Sequence, residues 1–230
     1  MGIILIIVIA IASFIVQARF KNKFKKYSET PLASGFTGRD IAEKMLNDNG
    51  IYDVRIVSAE GNLSDHYNPS DRTVNLSPSV YSGKSIAAAA VAAHECGHAV
   101  QHAKAYSWLQ FRSAMVPVVN ISSNLLQYVF MLGLIMYASS FGYTLLLIAF
   151  GAMIVVTLFS IVTLPVEFDA SNRALAWLDS NKGIMHSSVE HTQAKDALWW
   201  AAMTYVVAAL GSLAQLLYLA MMLFGGGRRD

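Results

Sequence analysis

Charge is scarce in this 230-residue chain. Asp, Glu, Lys and Arg make up 14% of it, against about 25% in an ordinary soluble domain. The shortage is local. No charged side chain occurs between Ser113 and Val166, and none between Leu198 and Gly227. Uncharged runs of that length are the mark of membrane spans. A net charge of +2 is too small to suggest a polyanion as partner, so no nucleic acid is expected. Cysteine is scarcer still. Cys96 is the only one, so no intramolecular disulfide can form, which fits a reducing compartment.

What is present in excess is apolar: 55% of the residues are hydrophobic. Four stretches approach the ~20 apolar residues that a bilayer requires, at about 2–18, 114–137, 143–164 and 201–224. The middle two are joined by 138–142 alone, a charge-free turn. Arg19, Lys21, Lys23, Lys25 and Lys26 follow the first run instead of preceding it. That order predicts a retained anchor with its N-terminus outside, not a cleaved signal peptide. Twelve of the 17 Lys and Arg lie in 19–113 and three in 165–200. Positive charge favours the cytoplasmic face, so both segments are predicted there, and the tail exits outside despite Arg228 and Arg229.

The expected organisation is an N-terminal anchor over 1–18, a cytoplasmic α+β part over 19–113 and a transmembrane hairpin over 114–164. A cytoplasmic helical segment over 165–200 and a last span with its tail over 201–230 complete it. The fold class is mostly α: a multi-pass helical bundle with a small α+β, zincin-like cytoplasmic domain.

The chemistry is concentrated in His94-Glu95-Cys96-Gly97-His98, which reads H-E-x-x-H. On a helix, residues four apart share a face one turn apart, so two imidazoles can bind one Zn²⁺ from the same side. The glutamate between them is placed to take a proton from an attacking water. Ser85 is a predicted cap for this helix, and 86–93 is nearly all alanine, the best helix former. Gly97 would normally weaken a helix; here it leaves room for the metal or a neighbouring backbone. Cys96 points away from the histidine face and reads as a packing thiol.

Around this helix, Thr37 caps a predicted helix that Asn49-Gly50 ends. Residues 52–57 and 72–76 read as strands and 61–69 as turn. An exposed strand edge beside the zinc helix would hold a peptide through main-chain hydrogen bonds, and 72–76 is the better candidate. Asn120, Asn124 and Gln127 form a polar stripe on the second span, expected to bond across helices.

Catalytic zinc commonly has three protein ligands. Gln101 and Lys104 stand where the longer H-E-x-x-H-x-x-G-x-x-H pattern needs glycine and histidine, and His102 fits a surface or supporting role. No Asp or Glu follows Glu95 until Glu167. Two crossings separate Glu167 from the histidines, which returns it to their side of the membrane. Glu167 is therefore the expected third ligand, with Asp169 its competitor. A donor for the oxyanion is sought among His66, Tyr67, Arg173, His186 and His191, with His66 and Arg173 first.

Three segments together carry a family likeness: Ser64-Asp65-His66-Tyr67-Asn68-Pro69, His94 through His102, and Glu167-Phe168-Asp169-Ala170-Ser171. They resemble the YugP-like family of bacterial membrane zinc metallopeptidases over almost the whole chain. A more distant similarity is to the HtpX and CAAX prenyl protease group. The resemblance implies one Zn²⁺ per chain on His94, His98 and Glu167, with Glu95 as general base. It also implies a multi-pass protein of the bacterial inner membrane, in contact with lipid and acting on peptide or protein substrates. That distant group has an aspartate where this chain has Ser171, so the partner of the ligand imidazole differs here, and Asp169 is the alternative.

Two rival readings stay open. A site-2-type intramembrane protease would take its third ligand from L-D-G, whereas this chain has Leu178-Asp179-Ser180. A non-catalytic zinc scaffold would close the site with a fourth Cys or His. The oligomeric state has no signature in the sequence.

Overall fold

The structure is a computed structural model that describes residues 2–61 and 63–225. Arg228 and Arg229, which enter the topology argument, lie outside the described residues. In chain order the elements are α1 (Gly2–Ser28), α2 (Gly38–Asp48), β1 (Arg55–Ser58), β2 (His66–Asn68), β3 (Thr73–Leu76) and α3 (Pro78–Tyr81). They are followed by α4 (Ile86–Ala103), α5 (Ser107–Ile135), α6 (Ser140–Ser180) and α7 (Ser188–Phe224). Helices α1, α5, α6 and α7 are long and apolar enough to cross a membrane. The fold is that of a helical membrane protein with a small α+β part, the predicted class.

The helices run further than the apolar stretches suggested. α1 continues to Ser28 and so carries the whole basic cluster, and α7 begins at Ser188. The largest difference is α6. A break was expected between a span ending at 164 and a second helix carrying Glu167, but one helix runs unbroken from Ser140 to Ser180 with Pro165 inside it. Proline deletes a single i→i−4 bond, and the unbroken helix on both sides carries the backbone through.

Contacts divide the chain into two compact units. One comprises the described residues of Met1–Val16, Phe111–Leu164 and Thr204–Asp230, the other Gln17–Gln110 and Pro165–Met203. In the first, Val129, Leu146, Ala149, Leu219 and Leu223 form a small core. Large side chains such as Ile121, Tyr128 and Ile135 stand exposed, as a lipid-facing surface requires. Thr157 Oγ1 donates to the Ser212 carbonyl at 3.3 Å, the interhelical polar bond typical of spans. The stripe of Asn120, Asn124 and Gln127 differs from expectation, because all three are exposed on α5.

The second unit is built around α4. Alanine at 87–90, 92 and 93 is at most 2% exposed, and the small side chains let neighbours approach from every side. α2 lays Ile41, Ala42, Met45 and Leu46 into the same core. Its Thr37–Asp40 capping box fixes its start, and Gly50 ends it at φ +71°. The sheet order is β1-β3-β2, with β1 parallel and β2 antiparallel to β3. Two expectations are corrected here. The 72–76 strand is central, not an edge, because Val74 and Leu76 are fully buried between two partners. Residues 61–69, expected as turn, contain β2, which is an edge; three polar residues give no periodicity to detect.

Candidate metal and active site

Helix α4 is anchored before it reaches the motif. The Ser85 hydroxyl accepts from Ala88 N, as a cap should. Ile86 N donates to the Thr30 carbonyl at 3.1 Å and Leu32 N to the Lys84 carbonyl at 2.9 Å. These bonds fix the helix start, and the helical repeat then stacks His94 and His98. Their rings meet edge to face, 4.9 Å between centroids.

Glu167 joins them from α6. Its Oε2 lies 3.3 Å from His94 Nε2 and 3.6 Å from His98 Nε2. One ligand atom from each of the three residues lies within 4.8 Å of the others. A tetrahedral ion with Zn–N and Zn–O bonds near 2.0–2.1 Å holds its ligand atoms about 3.3 Å apart. The donor set of two imidazoles and one carboxylate fits Zn²⁺ in type and in spacing. Among the described residues this is the one such group. Gly97 is what lets α6 come so near: a Cβ there would stand 2.5 Å from the Ala170 carbonyl oxygen.

The ring atoms facing away from Glu167 are also held. His94 Nδ1 meets Ser171 Oγ at 3.1 Å, and His98 Nδ1 meets Gln101 Oε1 at 3.0 Å. Such contacts orient ligand imidazoles. Asp169, the competing ligand, is outside the group; its carboxylate accepts from Gln101 Nε2 at 2.8 Å and from Arg173 Nε at 2.6 Å.

Glu95 is 7% exposed and accepts from the Tyr67 backbone N–H at 3.1 Å. Burial raises its carboxyl above the ordinary range, against the opposing pull of His94 and His98. Burial lowers the His98 imidazolium, but the Glu167 hydrogen bond and charge outweigh it and leave His98 raised.

The remaining expected residues are placed as follows. His66 is exposed on β2, its Nδ1 donating to the Ser64 carbonyl at 2.8 Å. Arg173 pairs with Asp169 and lies over the Tyr106 ring at 5.7 Å. His102 contacts Tyr67 Oη through Nδ1 at 2.7 Å. Cys96 is buried, its thiol donating toward the Ala42 carbonyl at 3.6 Å. Sequence reasoning missed the Tyr67 N–H and Gln101. A main-chain donor leaves no sequence signal. Gln101 left a weak one: a polar residue three positions after a ligand, on the buried side of a helix.

The sequence has counterparts among known proteins. Residues 2–224 match the family described as "Putative neutral zinc metallopeptidase", and the chain belongs to that family. It is 41% identical over 214 residues, 93% of this chain and 92% of the relative, to a Bacillus subtilis (strain 168) protein called "Putative membrane protease YugP". No solved structure matches the chain.

Proposed function

We propose that this protein is a zinc-dependent metalloendopeptidase of the bacterial inner membrane that hydrolyses peptide bonds in membrane or unfolded proteins. The observation that carries the reading is the convergence of His94 Nε2, His98 Nε2 and a Glu167 carboxylate oxygen on the helix that also bears Glu95. His94, His98 and Glu167 would hold one Zn²⁺, which when bound would supply a Lewis acid and lower the pKa of water toward ~7. Glu95 takes the proton from the water that attacks the scissile carbonyl and delivers it to the leaving amine. The Tyr67 N–H orients the carboxylate for this transfer. His66, beside Tyr67 on β2 with its Nδ1 bonded to the Ser64 carbonyl, would donate to the developing oxyanion from Nε2 as the imidazolium. Arg173, the other expected donor, has its guanidinium on Asp169 and acts here by steadying the segment that bears Glu167.

The active site faces the cytoplasm, the side to which the charge distribution assigns 19–113 and 165–200. A closed structural site is disfavoured by the positions of its two possible fourth ligands. Cys96 is engaged at Ala42 and His102 at Tyr67.

The test is proteolysis of unfolded casein, together with zinc content, on the full chain in detergent. Glu95→Gln is expected to keep zinc and lose hydrolysis, and His94→Ala to lose both. Full proteolysis by Glu95→Gln would exclude the mechanism. His66→Ala should retain zinc and lower kcat more than it changes KM.

A further inference from the structure

One fully buried polar side chain beside the candidate metal centre has no part in the chemistry proposed so far. Gln101 is 0% exposed, and each polar atom of its amide has a partner. Nε2 donates to the Val166 carbonyl at 2.8 Å and to Asp169 Oδ2 at 2.8 Å. Both partners are acceptors only, so the nitrogen must face them and the oxygen must face His98. An amide oxygen cannot donate. The 3.0 Å contact between Oε1 and His98 Nδ1 therefore places a proton on Nδ1 and leaves Nε2, the atom facing Glu167, as the one that can bind a metal.

His94 is held differently. Its Nδ1 meets the Ser171 hydroxyl, which can donate or accept and imposes no tautomer. The amide also reaches across two helices. Val166 precedes Glu167 and Asp169 follows it by two, so the groups that fix Gln101 flank the carboxylate on α6. Asp169 is itself fixed by two bonds from Arg173.

We propose that Gln101 is a positioning residue that locks His98 as the Nδ1–H tautomer and ties the His98-bearing helix to the Glu167-bearing segment. The inference rests on the reading of His94, His98 and Glu167 as zinc ligands and assigns the part that sets their geometry before the ion arrives. An ordinary buried glutamine would stabilise the fold without governing metal affinity, and two variants separate these cases. Gln101→Met keeps the volume and removes every hydrogen bond. Gln101→Glu keeps an acceptor for His98 and loses both donors to α6.

The experiment measures zinc affinity of the full chain in detergent by competition with a chelator. It also measures the ¹⁵N shifts of the histidine rings in metal-free protein. Gln101→Met is expected to bind zinc about 10- to 100-fold more weakly, with the His98 signal moving away from the Nδ1–H tautomer. Gln101→Glu is expected to retain that tautomer and still bind zinc more weakly. A folded Gln101→Met with wild-type affinity and an unchanged His98 tautomer overturns the proposal. Should Gln101→Met fail to fold, Gln101→Glu decides, and wild-type affinity there removes the tie. Failure of the wild type to bind zinc, or binding indifferent to His94→Ala, is failure of the ligand reading instead. The metal-free tautomer still decides, in that case, whether Gln101 governs His98.

Discussion

Helices α4 and α5 follow one another in the chain and are both dominated by apolar residues, yet their surfaces meet opposite surroundings. In α4, Ala90, Ala92, Ala93 and Cys96 are 0% exposed. In α5, Ile121 is 70% exposed, Tyr128 63% and Ile135 75%. Side-chain size separates them. α4 is alanine-rich, so its backbone can sit among α2, α3 and the sheet at close range. α5 presents Ile, Leu, Met and Tyr, which hydrocarbon solvates without any protein partner. Apolarity alone therefore does not separate these two helices; the volume of their side chains does. The H-E-x-x-H motif sits on the helix whose surroundings are protein, where polar groups such as Gln101 and Ser171 can hold its rings.

Substitutions can break this contrast. The largest effect is expected from Leu125→Arg in the middle of α5, costing about 2.5–3.5 kcal/mol of insertion on the translocon scale. Membrane fractionation and yield read it, and full, stable insertion would deny α5 its lipid surface. Next is Ala93→Leu in α4. Overpacking there should cost about 1–3 kcal/mol and weaken zinc binding with it, measured by thermal melting and metal content; an unchanged melt would mean that α4 is not confined.

Thr37→Ala, which removes a cap on α2, should cost about 1 kcal/mol. The Thr37 hydroxyl and N–H hold the Asp40 carboxyl below its usual range. The carboxylate's share of the cap is thus complete above the unfolded carboxyl pKa and fades as pH falls through the lower folded value. The melting difference between wild type and variant should narrow in acid to what the Asp40 N–H bond to the Thr37 hydroxyl contributes, and a constant difference would remove the Asp40 carboxylate from the cap. The smallest effect belongs to Ile121→Leu on the exposed face of α5, within about 0.5 kcal/mol, read by the same melt.

Much of this molecule was legible before its coordinates. Ser85 and Thr37 announced helix starts because hydroxyl caps are local chemistry, and the charge-free runs announced spans because lipid tolerates little else. His94 and His98 were brought to one face by spacing alone. Glu167 came into view only because no other carboxylate intervenes after Glu95. What stayed hidden depends on partners distant in sequence. β2 is three polar residues whose strand character exists only against Val74 and its neighbours. The continuity of α6 through Pro165 contradicts the usual local meaning of proline. Gln101 carries neither charge nor a spacing rule, and its significance lies in bonds to Val166 and Asp169, more than sixty residues away.

Cys96 offers a last consequence. The sole thiol of the chain is sealed in the interior beside Glu95, and burial pushes its pKa well above the ordinary range, so it has little thiolate with which to react. An alkylating reagent can reach it only when the surroundings of α4 open. The rate of single-site labelling in native protein is therefore a built-in clock for the breathing of this region, with no engineered probe and no competing thiol to subtract.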